Sequence, residues 1–209
     1  MIRNLQNFKR FNTMNPLIQI QCKRMQHELL NVKKAANYYI SKNFGFINID
    51  KGNSVNPLQN STLDTLISIL NKIENNDSIF GTLIFPKNTL GFSIGTDINF
   101  INNEASKGNF QNIKSYFHNL YNCHNLFAKH SRPIISIAPG ISSNSGFSHF
   151  LTTYLRIVCP NTIMSENSIS LGIVPHCGMT FYLSKLPAEL GTMLALTGMN
   201  LNDRTLMYN

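Results

Sequence analysis

The chain has 209 residues, of which 43% are apolar and 13% charged, with a formal net charge of +8. That is enough for one domain of moderate size with a packed core, and no apolar run approaches the ~18 residues a membrane-crossing helix needs. The charge is uneven: residues 1–34 hold seven Lys and Arg (Arg3, Lys9, Arg10, Lys23, Arg24, Lys33, Lys34) against one acid, Glu28. The remainder is nearly neutral, so composition predicts no basic face for nucleic acid outside that arm.

Residues 1–34 read as a basic N-terminal arm and residues 35–209 as the domain proper. Ile2, Leu5 and Phe8 fall at helical spacing within the arm, which together with its basic, acid-poor composition is the pattern of a mitochondrial presequence. Cys22, Cys123, Cys159 and Cys177 show no paired spacing, so free thiols in a reducing compartment are expected. His118, His124 and His130 recur every six residues, with Cys123 beside them. On a regular helix that spacing points three ways, so a surface or interface role is expected and no metal site.

Taken in order, Tyr38–Ser41 and Gly45–Ile49 read as two strands joined at Lys42-Asn43, a hairpin. Val55-Asn56-Pro57-Leu58 reads as a turn. Ser61 or Thr62 then caps a helix whose apolar face carries Leu63, Leu66, Ile67, Ile69, Leu70 and Ile73. Ile79 to Phe85 is an apolar strand closed by Pro86. Asp97 to Asn103 makes a poor helix start. A helix follows over Phe110–Lys129, with Phe110, Ile113, Phe117, Leu120, Tyr121, Leu126 and Phe127 as its apolar residues. Pro133 to Ala138 is the next strand, leading through a small-residue turn to an apolar segment ending at Arg156. Strand–helix–strand order of this kind predicts an α/β fold with a mainly parallel sheet covered by helices.

Gly91-Phe92-Ser93-Ile94-Gly95 satisfies the Gly-x-Ser-x-Gly pattern of a nucleophile elbow, which needs a strand directly into the Ser and a helix directly out. Pro86 to Thr89 interrupts the approach and Asp97 to Asn103 the exit, so Ser93 is not expected to be a nucleophile.

Phe92-Ser93-Ile94-Gly95-Thr96-Asp97, Arg132-Pro133, Arg156-Ile157-Val158, Gly172-Ile173-Val174-Pro175 through Gly178, and Leu194-Ala195-Leu196-Thr197-Gly198 resemble, in this order, the motifs of the crotonase (enoyl-CoA hydratase/isomerase) superfamily. Val55-Asn56-Pro57-Leu58 is similar to its Leu-Asn-Ala-Leu signature, and the 3-hydroxyisobutyryl-CoA hydrolase branch is the most similar. The resemblance implies a crotonase-like ββα spiral with two roughly perpendicular sheets, here with the C-terminal helical part truncated at Asn209.

In that family two backbone N–H groups hold a thioester oxygen as it becomes an oxyanion. The resemblance places those positions at Ile94 and Ser145, where Asn144-Ser145-Gly146 replaces a Gly-Gly-Gly turn and loses its close backbone approach. The family's catalytic Glu falls on Ser168, with Glu166 as the fallback acid/base, and its Asp falls on His176. Neither Ser168 nor His176 restores a pair of carboxylates. The resemblance therefore implies a non-catalytic component of the mitochondrial small ribosomal subunit, partnered by mitochondrial ribosomal proteins and by rRNA through the basic arm. The alternative is a mitochondrial acyl-CoA thioesterase of valine breakdown, with a coenzyme A thioester as its ligand. No cofactor is required in either reading.

Overall fold

The computed structural model describes residues 8–10, 36–50, 52 and 55–202. Apart from one short strand, the presequence reading of residues 1–34 lies outside the described residues. In chain order, β1 (Phe8–Arg10), β2 (Ala36–Ser41), β3 (Phe44–Ile49) and β4 (Pro57–Leu58) precede α1 (Asn60–Glu74). Next come β5 (Gly81–Pro86), β6 (Gly91–Ser93), β7 (Gly95–Thr96), α2 (Ile98–Ser106) and α3 (Phe110–Lys129). Then follow β8 (Ile134–Ala138), β9 (Ile141–Ser143), α4 (Ser145–Thr152), β10 (Leu155–Val158) and β11 (Ile163–Ser165). A single 3₁₀ turn (Ser168–Leu171), α5 (Met179–Leu183), α6 (Leu190–Thr197) and β12 (Asn200–Asn202) complete the described chain.

The main sheet has the order β1-β10-β8-β5-β3-β2, and every neighbouring pair is parallel except the β2–β3 hairpin. Parallel neighbours cannot be joined by tight turns, and the crossovers that join them carry α1, α2, α3 and α4. The hairpin turns at Lys42 and Asn43, both at positive φ (48° and 64°), a two-residue geometry whose twist matches that of paired strands. A second sheet has the order β12-β11-β9-β6, and β4 pairs with β7 in a two-stranded ladder. The predicted α/β class with a mainly parallel sheet is therefore what forms.

Four local expectations need correction. Neither Ser61 nor Thr62 caps α1; the N-cap is Gln59, and Thr62 is buried one turn inside the helix. The strand read from Ile79 starts at Gly81. A helix does begin after Asp97, because the Asp97 carboxylate accepts the N–H of Phe100 at 3.1 Å and so satisfies a donor that a helix N-terminus leaves open. The buried stripe of α3 is Tyr116, Leu120, Cys123 and Phe127, whereas Phe110 is 70% exposed. That stripe repeats at 3.6-residue spacing and takes in Tyr116 and Cys123, which the apolar residues read from the sequence did not include.

Tyr116 ties these elements together. It is fully buried; its hydroxyl accepts the N–H of Asp97 at 2.9 Å and donates to the carbonyl of Leu58 at 2.8 Å. One side chain on α3 thus closes the ends of β4 and β7 over the core. Tyr116→Phe keeps the ring but leaves both backbone groups without that partner, so it is expected to lower stability by about 1–3 kcal/mol. Chemical denaturation checks this; an unchanged midpoint with an unchanged slope would show that the hydroxyl bears no load.

Candidate functional site

The segment before α1 lies along the turn joining β6 to β7. Val55 accepts the N–H of Ile94 on its carbonyl at 3.1 Å. The Asn56 amide donates to the carbonyls of Gly91 and Phe92 at 3.2 Å each, and Ser93 Oγ donates back to the Asn56 carbonyl at 2.7 Å. Ser93 Oγ also accepts the N–H of Gly95 at 3.0 Å. The strand β6 does run straight into Ser93, contrary to the expected interruption, because Pro86 ends β5 and residues 87–90 turn the chain into a new strand. The exit is β7 rather than a helix, and Ser93 is fully buried with its hydroxyl engaged on both sides. Its role is to close the turn.

The second turn, between β9 and α4, packs against the first. Asn144 takes a positive φ of 53°, donates its N–H to Ser165 at 3.0 Å, and accepts the N–H of Asn167 on its side-chain oxygen at 2.9 Å. Ser145 then opens α4. Gly95, at φ +84°, lies so close to it that a Cβ would stand 2.6 Å from Ser145 Oγ and 2.8 Å from Ser145 N. Ile94 and Ser145 thus sit on facing turns, as the resemblance implied. The Ile94 donor, however, is hydrogen-bonded within the chain, and Ser145 is fully buried.

Ser145 Oγ lies 3.1 Å from Thr96 Oγ1, which lies 3.4 Å from His176 Nε2; His176 Nδ1 is 3.4 Å from Cys177 Sγ. Thr96 therefore brings Ser145 and His176 together, a link that their separation in sequence concealed. Its position directly before Asp97 in the matched turn was the one available signal. Glu166 follows β11 and its Oε1 accepts the N–H of Ser168 at 3.3 Å; both residues are buried. Burial holds the Glu166 carboxyl above the usual carboxylate range, partly offset by Ser168. Among the described residues no hydrogen bond joins Glu166 or Ser168 to Ser145, Thr96 or His176. Burial, then the charges of Cys123 and Glu166, push the Cys177 thiol far up, so it stays protonated.

The arrangement is a chain of neutral hydroxyl, imidazole and thiol groups. It can pass a proton between Ser145 and His176, but it offers no pair of carboxylates to activate water. An open cavity of about 1030 Å³ lies elsewhere, lined from Phe127 to Lys185 by none of Ile94, Ser145, Glu166, Ser168 or His176.

The expected surface role of the helix histidines holds for His118, which is exposed, but Cys123 is buried and His124 faces inward. The His124 ring packs edge-on against His149 of α4, with centroids 5.2 Å apart. Among the described residues no group of three or more His, Cys, Asp or Glu could hold a metal ion. His149 Nδ1 donates to the Ser145 carbonyl at 2.6 Å, while His149 Nε2 and His124 Nδ1 are buried without a partner. Burial, then repulsion from His124, pushes His149 down to about 3; burial, then repulsion from His176, pushes His124 down to about 4; burial also lowers His176. All three are neutral when folded, whereas in the unfolded chain they titrate at about 6.5. The unfolded state therefore binds more protons below that pH. Stability is full above about pH 6.5 and falls towards pH 4, by on the order of 2 kcal/mol at pH 5 for each of His124 and His149. His149→Phe is expected to flatten the denaturation profile between pH 5 and 6.5; a wild-type profile that is level there rules the linkage out.

Comparison with known proteins agrees with this geometry. The profile of the family described as Enoyl-CoA hydratase/isomerase matches residues 44–209. The small ribosomal subunit protein mS47 of Arabidopsis thaliana is 32% identical over 111 residues, covering 53% of this chain and 27% of that protein. The mitochondrial 3-hydroxyisobutyryl-CoA hydrolase of Xenopus tropicalis is 24% identical over 157 residues, covering 75% of this chain and 40% of the relative. The matches thus span less than half the length of these curated relatives. An enoyl-CoA hydratase structure from Rhodobacter sphaeroides superposes with a TM-score of 0.80 at 19% identity, over 84% of this chain and 52% of that one. With the profile running from β3 onwards and the ββα architecture shared, the chain belongs to the enoyl-CoA hydratase/isomerase (crotonase) family.

Proposed function

We propose that this protein is a non-catalytic, structural component of the mitochondrial small ribosomal subunit, using the crotonase fold as a scaffold for neighbouring ribosomal proteins and rRNA. The observation that carries this reading is the hydrogen bond from Ile94 N–H to the Val55 carbonyl. An oxyanion donor stabilises a transition state only if it is open to the reacting oxygen, and this one is already committed. The burial of Ser145 and the absence of a carboxylate at the 168 and 176 positions support the same conclusion. Similarity to the ribosomal relative supplies the assembly, and the mitochondrial hydrolase supports the compartment. This role needs no cofactor.

A thioesterase acting on 3-hydroxyisobutyryl-CoA or a related ester is the second reading, favoured by the Ser145–Thr96–His176 chain and by the buried Glu166 carboxyl. There His176 or Glu166 would activate water, and the coenzyme A thioester would have to displace Val55 from Ile94.

Sucrose-gradient sedimentation of mitochondrial extracts separates the two. The protein is expected to travel with the small subunit; finding it only at the top of the gradient sinks the ribosomal reading. The purified protein is expected to hydrolyse the thioester no faster than buffer, with His176→Ala and Glu166→Gln indistinguishable from wild type. Turnover lost in either variant would establish the enzyme instead.

A further inference from the structure

The folded domain is nearly neutral by count, but its cations are not evenly spread. The cavity of about 1030 Å³ is an open groove between the end of α3, the last turn of α4, the start of β10 and the segment after α5. Its lining includes His130, Arg132, Arg156 and Lys185, and no Asp or Glu. Two aromatic rings stand exposed in that lining, Tyr154 at 64% and Phe181 at 55%. Lys185 Nζ sits 3.6 Å from the centroid of the Phe181 ring, and among the described residues no carboxylate pairs with it.

The other basic side chains of the lining are anchored. Arg132 donates to the carbonyls of Ile73 and Glu74 and to the Asp77 carboxylate, and His130 Nδ1 lies 3.2 Å from Glu74. Arg156 is buried, with one nitrogen on the carbonyls of Leu151 and Thr153. These bonds fix the floor of the groove, with Arg132 paired to Asp77, and leave the Lys185 ammonium as the exposed cation of the lining. Exposed rings beside a held ammonium are the elements of a single-strand nucleic-acid platform, on which bases stack and phosphates meet cations.

We propose that this groove binds a single strand of RNA, with bases stacked on Tyr154 and Phe181 and a phosphate held at Lys185. The identification of that strand as small-subunit rRNA rests on the ribosomal reading above. A duplex is disfavoured, because its bases are already stacked and offer no face to the rings. A polyanionic peptide would satisfy Lys185 but has no aromatic bases to stack on the two rings.

The test uses the full 209-residue chain and an oligouridylate carrying one 2-aminopurine. Wild type is expected to change the 2-aminopurine fluorescence, and Tyr154→Ala with Phe181→Ala to weaken binding by about tenfold or more. Lys185→Gln should lower the slope of log affinity against log salt by about one unit. These side chains are exposed, so unfolding is not the expected cause; thermal melting of each variant verifies it. Neutralising Lys23, Arg24, Lys33 and Lys34 should weaken binding without changing the fluorescence signal. Equal affinity for duplex RNA, displacement by an acidic peptide but not by unlabelled RNA, or binding indifferent to the two aromatics would each overturn the proposal. Crosslinking of 4-thiouridine-labelled mitochondria separates it from the ribosomal reading. Crosslinks at Tyr154 or Phe181 support it. A protein that sediments with the subunit but crosslinks elsewhere overturns the groove and leaves the ribosomal reading standing. Stacked RNA on a protein that never sediments with the subunit supports the groove and overturns that reading.

Discussion

The constraint on which the centre of this molecule depends is the attachment of residues 55–58 to residues 91–96. Backbone pairing of β4 with β7 aligns the two segments, and the buried Asn56 amide bonds the Gly91 and Phe92 carbonyls. Ser93 returns a hydrogen bond to Asn56, and Val55 takes the N–H of Ile94. Buried backbone groups must find partners, and here each finds one within the chain. The same bonds that make the turn rigid also remove its free donor. In a family whose chemistry uses that donor, stability and activity compete for one N–H group.

Around this turn the interior is polar but uncharged. Ser145, Thr96, His176 and Cys177 form a line of neutral groups, with His124 and His149 packed behind it. Removing charge from a low-dielectric interior avoids the large cost of burying an unpaired ion. It also gives up the paired carboxylates that would polarise water. Glu166 and Asp97 are exceptions: burial holds the Glu166 carboxyl towards the neutral form, and the Asp97 carboxylate caps α2. The exposed rings and the ammonium of Lys185 line a groove to which Ser145, Glu166 and His176 contribute nothing.

Much of the fold was legible because it depends on local rules. The Lys42-Asn43 hairpin, the α3 helix and the strand at 134–138 follow from turn residues and apolar runs, whereas the strand at 155–158 came only with the resemblance. The helix after Asp97 was missed because its sequence is poor in strong helix formers, and one capping hydrogen bond compensates. Ile94 and Ser145 were singled out by the family resemblance, and no local rule places them on facing turns. The bond from Ile94 to Val55 could not be read from the sequence, since the partners are 39 residues apart and either could have faced solvent. Thr96 went unnoticed for a related reason: a threonine has no chemistry that singles it out until a hydroxyl and an imidazole are placed on either side of it.

By itself the sequence determined the family and the α/β order of elements, because residue identity and spacing are one-dimensional properties. Tertiary structure alone decided which donors are free and which buried groups are neutral, and where the cations gather. Those depend on distances between segments remote in the chain and on the exclusion of water, and neither is encoded at any single position. The Arg132–Gly198 stretch carries both lessons. Its spacing matches the family's motifs, and the packing of residues 140–146 against residues 89–95 buries Ser145.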